Sequence, residues 1–390
     1  MKQHLVVISL LDGKGPTGVE AHFNQLLDEA RAAAIDGFLV SAYPSQRAWA
    51  TLARKLIPAM RLFSKEYAEI FSLWINSKVI AAKLMAVLAQ KHGPVTLYAQ
   101  DPLSARVALQ VRRRQRCRVV TVIHYNTSQS DELSAKGEAQ AGGPLCRFIG
   151  AAETTSLPQV DEIIFVSRFM QEELARRLPA TNAVPQSVIP NFATRAAVSN
   201  GHWECGKDLI AIGTLEPRKN QAFLLHVLAR AKSRGLLCTL TLVGHGPDHA
   251  MLVALARQLG LQEQVTFAGF QKNAVRLIHQ HRVLVHAALM ENMPISLIEA
   301  LAVGRPILAP AVGGIPEIFD HGVEGYYWPL DDIDAAAGLL IRSLTEMDAY
   351  RRLAQAARAR YQRAFQFDQL AGRWLAAILD QRQHPAEAMQ

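Results

Sequence analysis

Glu291 and Glu299 stand eight residues apart in Glu291-Asn-Met-Pro-Ile-Ser-Leu-Ile-Glu299, on either side of an expected helix start. Pro294 turns Met293 away from the α region and itself suits the first helical position. Glu291 is therefore left in the preceding loop, with Glu299 about one turn inside the helix. Gly304 is placed to end that helix, and Pro306 opens the next strand. The N–H groups of Ile295, Ser296 and Leu297, at the positive helix end, can hold a phosphate, and the two carboxylates can accept hydrogen bonds from hydroxyls around it. The arrangement suits a polyhydroxylated group joined to a diphosphate; an amphipathic helix with a capping acid is the plainer account of the same residues.

A second group of residues has matching chemistry. Gly213-Thr-Leu-Glu-Pro-Arg218-Lys219-Asn220 follows an apolar run and opens a helix, which puts a guanidinium and an ammonium at a strand end. A leaving diphosphate gains negative charge, and fixed cations stabilise that charge more than they stabilise the intact donor. A solvated surface pair is the alternative. Val243-Gly244-His-Gly246-Pro-Asp reads as a strand-to-helix glycine turn, and Val312-Gly313-Gly314-Ile-Pro316-Glu317 as a second glycine loop. That second loop supplies either backbone donors near a phosphate or a tight packing connection.

In the N-terminal half, Gly13, Gly15 and Gly18 have G-x-G-x-x-G spacing, yet no acidic residue ends the strand Phe38 to Ala42 to hold a ribose. Only half of a dinucleotide fingerprint is present, which argues against a Rossmann oxidoreductase. His124 ends the hydrophobic run Val119 to Ile123, where its ring can hydrogen-bond a sugar or serve structure alone. Asp101 precedes Pro102 and is placed to cap a helix.

Positioning these residues requires elements that alternate. Apolar runs at 4–11, 38–42, 95–98, 118–123 and 162–166, then at 208–212, 237–243, 264–267, 282–286 and 306–309, are separated by helical patterns. Such order implies parallel sheets built from βαβ units, in two series with a break through 189–207. The α/β fold class follows: two doubly wound domains with the carboxyl ends of their strands facing a cleft. Phe365, Phe367, Leu370, Trp374, Leu375 and Ile378 predict a helix near the C-terminus. Asp331-Asp332-Ile-Asp334 reads as a loop and helix cap.

Taken in this order, the residues resemble retaining, nucleotide-sugar-dependent glycosyltransferases of family 4 and the GT-B fold, the group 1 glycosyl transferases. Glu291 to Glu299 is similar to that family's E-x7-E motif, and the likeness runs over nearly the whole chain. The resemblance implies that Glu291 contacts the transferred sugar, Glu299 the ribose, and Arg218 and Lys219 the diphosphate. The family's usual Gly-Arg-Leu opening is Gly213-Thr214-Leu215 here, which leaves open which cation meets which phosphate. By the same resemblance Gly244 and Phe267 lie by the nucleobase, uracil or guanine, and Met293 and Pro294 belong to the donor loop. Gly18 meets the donor diphosphate, His124 the sugar, and Glu20 and Asp101 the acceptor side.

The resemblance also implies domains at 1–195 and 196–360, with a terminal helix of about 361–390 crossing back to the first. It implies a UDP-sugar or GDP-sugar donor, a saccharide or lipid-linked acceptor, no metal, and a role in cell-surface polysaccharide or lipopolysaccharide assembly. A same-fold sugar-nucleotide epimerase and a non-catalytic sugar-nucleotide-binding subunit are the alternatives.

Half of the 390 residues are hydrophobic and the net charge is +8. Residues 1–200 hold 23 Lys and Arg against 16 Asp and Glu, so the basic excess belongs to the N-terminal half, which should face an anionic partner or membrane surface. Cys117, Cys146, Cys205 and Cys238 are too scattered for a disulfide framework or zinc site and fit a reducing, cytoplasmic compartment. The run Leu5 to Leu11 enters Asp12-Gly-Lys-Gly without a cleavage signature, and Ala68 to Gln90 carries Glu69, Lys78 and Lys83, so neither a signal peptide nor a membrane span is expected. The cations at Arg112, Arg113, Arg114, Arg116 and Arg118 read as a solvated helix end with no nucleic-acid motif beside it. Residues 51–65 mix basic and apolar side chains in a way that suits a bilayer interface, peripheral on the inner face of the membrane.

Overall fold

The computed structural model describes residues 3–13, 15, 18–44, 47–193 and 206–380. The chain forms two compact units, one of residues 1–190 with 370–390, the other of residues 191–369. The boundary expected at 195 and the third cysteine, Cys205, lie outside the described residues, as do Lys14, Pro16 and Thr17 of the first glycine loop and positions 381–390 of the terminal segment.

In the first unit, strands β1 (His4–Ser9), β2 (Asp36–Ser41), β3 (Val95–Ala99), β4 (Arg118–Ile123), β5 (Glu162–Phe165) and β6 (Gln186–Val188) form one sheet in the order β2-β1-β3-β4-β5-β6, all parallel. The strands are nearly continuous apolar runs because helices cover both faces. Val6, Ile8, Leu97, Val119, Ile163 and Phe165 share one core cluster. The order reverses between β1 and β3, so the loops after those strands flank a topological switch point, where open α/β sheets bind ligands.

The second unit repeats the plan. Strands β7 (Lys207–Ile212), β8 (Leu240–Val243), β9 (Val265–Gly269), β10 (His281–Val285), β11 (Ile307–Ala309) and β12 (Gly325–Tyr327) are ordered β12-β11-β10-β7-β8-β9, again all parallel. The reversal here lies between β7 and β10. Among the described residues, ten of the twelve strands fall where the apolar runs predict them; β6 and β12 do not, being three residues long and polar or glycine-led.

The C-terminal pattern is two helices, not one. Met347–Ala364 ends at Phe365 (φ −130°, ψ 12°), and Phe367–Ile378 follows. Trp374 of the second is wholly buried; its ring lies 4.6 Å from that of His22 and its indole N–H donates to Pro190 O at 3.0 Å, all within the first unit. Deleting an aromatic buried in this way typically costs about 3–5 kcal/mol.

The helix Lys65–Leu88 is, by length and composition alone, long and apolar enough to cross a membrane, although it carries Glu69, Lys78 and Lys83. Ile80, Leu84 and Leu88 on one face pack into the core of the first unit. The arginine run is partly paired: Arg112 meets Asp161 at 2.8 Å and Arg118 meets Glu162 at 2.7 Å, whereas Arg113, Arg114 and Arg116 are exposed. Asp332 caps the helix Ile333–Thr345 by accepting from Ala335 N at 2.9 Å.

Candidate functional site

The switch point of the second unit gathers the sequence's charged candidates. The loop after β7 carries Arg218 and Lys219 in a short 3-10 turn, Pro217–Lys219, and the loop after β10 carries Glu291. Leu289 N donates to Arg218 O at 2.9 Å and fastens the two loops together. Asn220, in the left-handed region (φ 52°, ψ 41°), turns the chain from the 3-10 turn into the helix Gln221–Ser233. Asn tolerates that conformation better than most residues.

Glycine permits the close stacking of these loops. Gly213 N donates to Val243 O at 2.9 Å, and Leu215 N to His245 O at 3.2 Å. A Cβ on Gly244 (φ +147°) would lie 1.9 Å from Gly213 O, and one on Gly246 2.2 Å from Leu215 O, so neither position admits a side chain without moving backbone. Gly244 N in turn donates to Gly269 O at the end of β9. Phe267 of β9 meets His249 edge-on, the ring centroids 5.3 Å apart.

Glu291 is buried among three nitrogen groups. Its Oε1 takes the Lys219 ammonium and lies 3.3 Å from His286 Nε2, and its Oε2 is 3.7 Å from Arg218 Nη1. Burial alone would raise the carboxyl pKa, but Lys219, His286 and Arg218 together hold it well below the usual carboxylate range. Burial pushes His286 the other way, toward the neutral ring, helped by Lys219 and Arg218 against Glu291. The His286 backbone is held on both sides: its N–H donates to Leu308 O at 2.8 Å, and Trp328 Nε1 donates to its carbonyl at 2.9 Å.

Arg218 and Lys219 are not equivalent. The Arg218 guanidinium is buried, donating through Nε and Nη2 to Glu216 Oε1 at 3.1 and 2.8 Å and through Nη1 to Met290 O at 3.0 Å. Lys219 lays its stem over Gly213, its Cε 3.7 Å from where a Cβ there would be. The backbone and a carboxylate thus hold the guanidinium, and among the described residues the Glu291 carboxylate holds the ammonium. Sequence reading missed both His286 and Glu216; the one signal for His286 was its place directly after a strand at the switch point.

The helix start differs in detail from the expectation. Pro294 (φ −67°, ψ 120°) is the cap, and the helix runs Ile295–Val303 to Gly304 in the left-handed region (φ 76°, ψ 40°). Leu297 N donates to Pro294 O at 3.2 Å, which corrects the expected set of phosphate donors to Ile295 and Ser296. Met293 is buried, its carbonyl accepting from Asn191 Nδ2 at 2.8 Å, and Glu299 is buried one turn into the helix. Gly314 N is likewise engaged, donating to Glu291 O at 3.3 Å, so the second glycine loop braces the Glu291 backbone.

In the first unit, Gly18 opens the helix Gly18–Ala32 after β1. Glu20 turns inward, where its Oε1 accepts from Gly13 N and Gly15 N, both at 3.0 Å. Asp101 caps the helix Pro102–Arg112, accepting from Ser104 N at 2.8 Å and Ser104 Oγ at 2.6 Å. His124 follows β4 with its ring 5.1 Å from that of His22, and burial pulls its pKa down to about 4, so the ring is neutral at neutral pH. The loop after it is clamped by Arg177, which donates to Thr127 O at 3.0 Å and to both oxygens of Glu153. Among the described residues no group of three or more His, Cys, Asp or Glu is arranged to hold a metal ion.

Two parallel six-stranded units with helices on both faces of each sheet give the GT-B fold. Residues 196–360 match the family described as glycosyl transferases group 1, and residues 17–191 match a glycosyl transferase 4-like domain. The chain belongs to the group 1 glycosyltransferases. It is 24% identical over 312 residues to N-acetyl-alpha-D-glucosaminyl L-malate synthase of Bacillus anthracis, covering 77% of this chain and 78% of that protein. It is 29% identical over 181 residues to the amylovoran biosynthesis glycosyltransferase AmsK of Erwinia amylovora, a match covering 44% of each. Among solved structures, sucrose-phosphate synthase from Thermosynechococcus elongatus superposes with a TM-score of 0.75 at 20% identity, over 97% of this chain and 99% of the other. Anabaena HepE in complex with UDP-glucose does so with a TM-score of 0.67 at 16% identity, over 97% and 99%. At these identities the structural likeness establishes the fold.

Proposed function

We propose that this chain is a cytoplasmic, retaining glycosyltransferase that moves a hexose-type sugar from a nucleotide-diphosphate donor to a saccharide or lipid-linked acceptor, in cell-surface polysaccharide or lipopolysaccharide assembly. The observation that carries the reading is the buried cluster of Lys219, Glu291 and His286 at the β7/β10 switch point, beside the helix start at Ile295. The bond from the anomeric carbon to the diphosphate oxygen breaks, and the acceptor oxygen bonds to that carbon on the same face. The acceptor's proton leaves with the departing diphosphate or to solvent.

On this scheme Lys219 exchanges its Glu291 partner for the diphosphate, and Glu291, released, accepts from sugar hydroxyls. A cation fixed at the point where charge develops is worth about 10²–10³ in rate. Arg218 acts mainly through its neighbours, since Glu216 and the Met290 carbonyl occupy it. Ile295 and Ser296 offer backbone donors to phosphate, Glu299 the ribose contact, Gly244 and Phe267 the base pocket, and Gly18 and the neutral His124 the first unit's contribution. The diphosphate charge is met by these groups, so activity is expected to survive treatment with EDTA.

The uridine donor is preferred because HepE, a protein of the same fold, has been solved in complex with UDP-glucose. AmsK, whose name places it in amylovoran biosynthesis, supports the polysaccharide assignment. The test is a thermal-shift screen against UDP, GDP and their sugars, followed by transfer assays with the anomeric configuration of the product read by NMR. A ligand at a hundredfold its Kd should add about 2.7 kcal/mol of stability. The reading fails if no nucleotide or nucleotide sugar raises the melting temperature; release of an altered nucleotide without acceptor would make the protein an epimerase.

A further inference from the structure

We propose that residues 51–67 of the first unit form a face that inserts into the surface of an anionic lipid bilayer. Two short helices, Ala48–Arg54 and Ile57–Phe63, precede the long helix Lys65–Leu88. They are attached to it through small or modest side chains: Ala50, with Ala53 and Ile57, packs against Ile75, Val79 and Phe71. The large apolar side chains point away from that contact. Leu52 is 67% exposed, Leu56 57%, Leu62 85% and Phe63 90%, and the helix Ile57–Phe63 buries no residue at all.

Single exposed apolar residues need no explanation, but four large ones within twelve positions do. The charge around them decides among occupants. Residues 51–67 contain Arg54, Lys55, Arg61 and Lys65 against one carboxylate, Glu66. Glu66 is occupied: it accepts from Gln140 N at 2.7 Å and Leu145 N at 3.1 Å and braces the start of the helix Pro144–Ser156. The next acid, Glu69, stands 4.0 Å from Arg61 on the exposed side. The outward face is therefore basic and apolar together, the combination by which a surface helix enters the headgroup region of an anionic leaflet. Tyr67 and Trp74 are exposed beside it, and aromatic side chains with a polar edge favour that same interface. A second protein surface would have to match both the protruding apolar groups and four cations; a phosphate-bearing lipid surface matches both without specific shape.

The test is co-sedimentation of the full chain with vesicles of phosphatidylcholine alone or with about one third phosphatidylglycerol, a strongly anionic surface. Wild type is expected to bind the anionic vesicles at least tenfold more tightly, with binding falling as salt rises. Leu62→Ser/Phe63→Ser and, separately, Lys55→Glu/Arg61→Glu should each lower that affinity at least tenfold. The melting temperature of the first pair should stay unchanged, since both side chains are already in water, and transfer to a soluble acceptor should be retained. Failure of the wild type to bind anionic vesicles overturns the proposal, as does equal binding by either variant. Concentration-dependent self-association that Leu62→Ser/Phe63→Ser abolishes, without vesicle binding, would assign the face to a second copy of the chain instead. Vesicle binding needs no donor, so it can fail while nucleotide binding succeeds, and the reverse.

Discussion

The Lys219 ammonium is bonded to the Glu291 carboxylate across 72 residues of chain, and the pair joins the two loops that flank the reversal of strand order in the second unit. The contact is a structural clasp and, on the proposed scheme, a charged site held closed until the donor diphosphate competes for the ammonium. That dual character separates the effects expected of substitutions around it.

Removing the ammonium should affect turnover more than stability. Lys219→Ala is expected to lower kcat by about 10²–10³, and Glu291→Gln, which keeps the shape but not the charge, to do the same. Glu291→Ala should in addition destabilise by about 3–5 kcal/mol, because it leaves the buried cations with neither the anion nor the acceptor oxygen that Gln retains. Steady-state kinetics with parallel thermal melts check this; near-normal turnover in both Lys219→Ala and Glu291→Gln would remove the assigned roles.

Arg218 should behave in the opposite sense. Arg218→Ala strands the buried Glu216 carboxylate and is expected to cost about 3–5 kcal/mol in unfolding free energy. Arg218→Lys cannot reproduce the fork to Glu216 and Met290 O and should recover only part of that loss. A denaturant melt reads both. An Arg218→Ala protein as stable as wild type but inactive would instead make the guanidinium a direct diphosphate contact.

Acid should destabilise the first unit before it titrates ordinary carboxylates. The folded pKa of His124 is about 4, below its ordinary 6.5, and that of His22 is shifted the same way by burial. Below pH 6.5 the unfolded chain binds protons that the folded chain refuses. The stabilisation is complete above pH 6.5 and is lost as pH falls toward 4, by at most about 3 kcal/mol for His124. Melting temperatures from pH 7.5 to 4 should show the fall, and His124→Asn should flatten it. Glu291, also depressed, adds a loss that begins as pH falls through the ordinary carboxylate range, where the unfolded carboxyl takes up a proton the folded one refuses.

Asp101 gives a test of capping against acceptor contact. Asp101→Ala should cost about 1 kcal/mol as a lost helix cap, whereas Asp101→Ser restores the cap oxygen and should keep both stability and acceptor kcat/KM. A fall in acceptor kcat/KM in Asp101→Ser at unchanged melting temperature would give this carboxylate the contact the resemblance implies.

The features that were legible in advance are local ones. Ten strands, the helix start by Pro294, its end at Gly304 and the glycine turn at Gly244 follow from apolar period and backbone chemistry, which act over a few residues and need no partner. Strands β6 and β12 escaped because three residues are too few for a pattern; each exists by pairing with a neighbour already in the sheet. The likeness to a glycosyltransferase family was legible for the same reason, since its motifs are short runs at strand ends.

Only the tertiary structure decided which charges meet. The chain alone presents Arg218 and Lys219 as one cationic pair; folding divides them, one guanidinium held by Glu216 and Met290 O, one ammonium by Glu291. It likewise brings His286 to Glu291, turns Glu20 onto the N–H groups of Gly13 and Gly15, and sets Trp374 against His22. Residue types and spacing determine what chemistry each loop can offer. The direction of a side chain and the identity of its partner depend on sheet order, which juxtaposes β7 with β10 and β1 with β3 across long stretches of sequence, and no local pattern encodes that order.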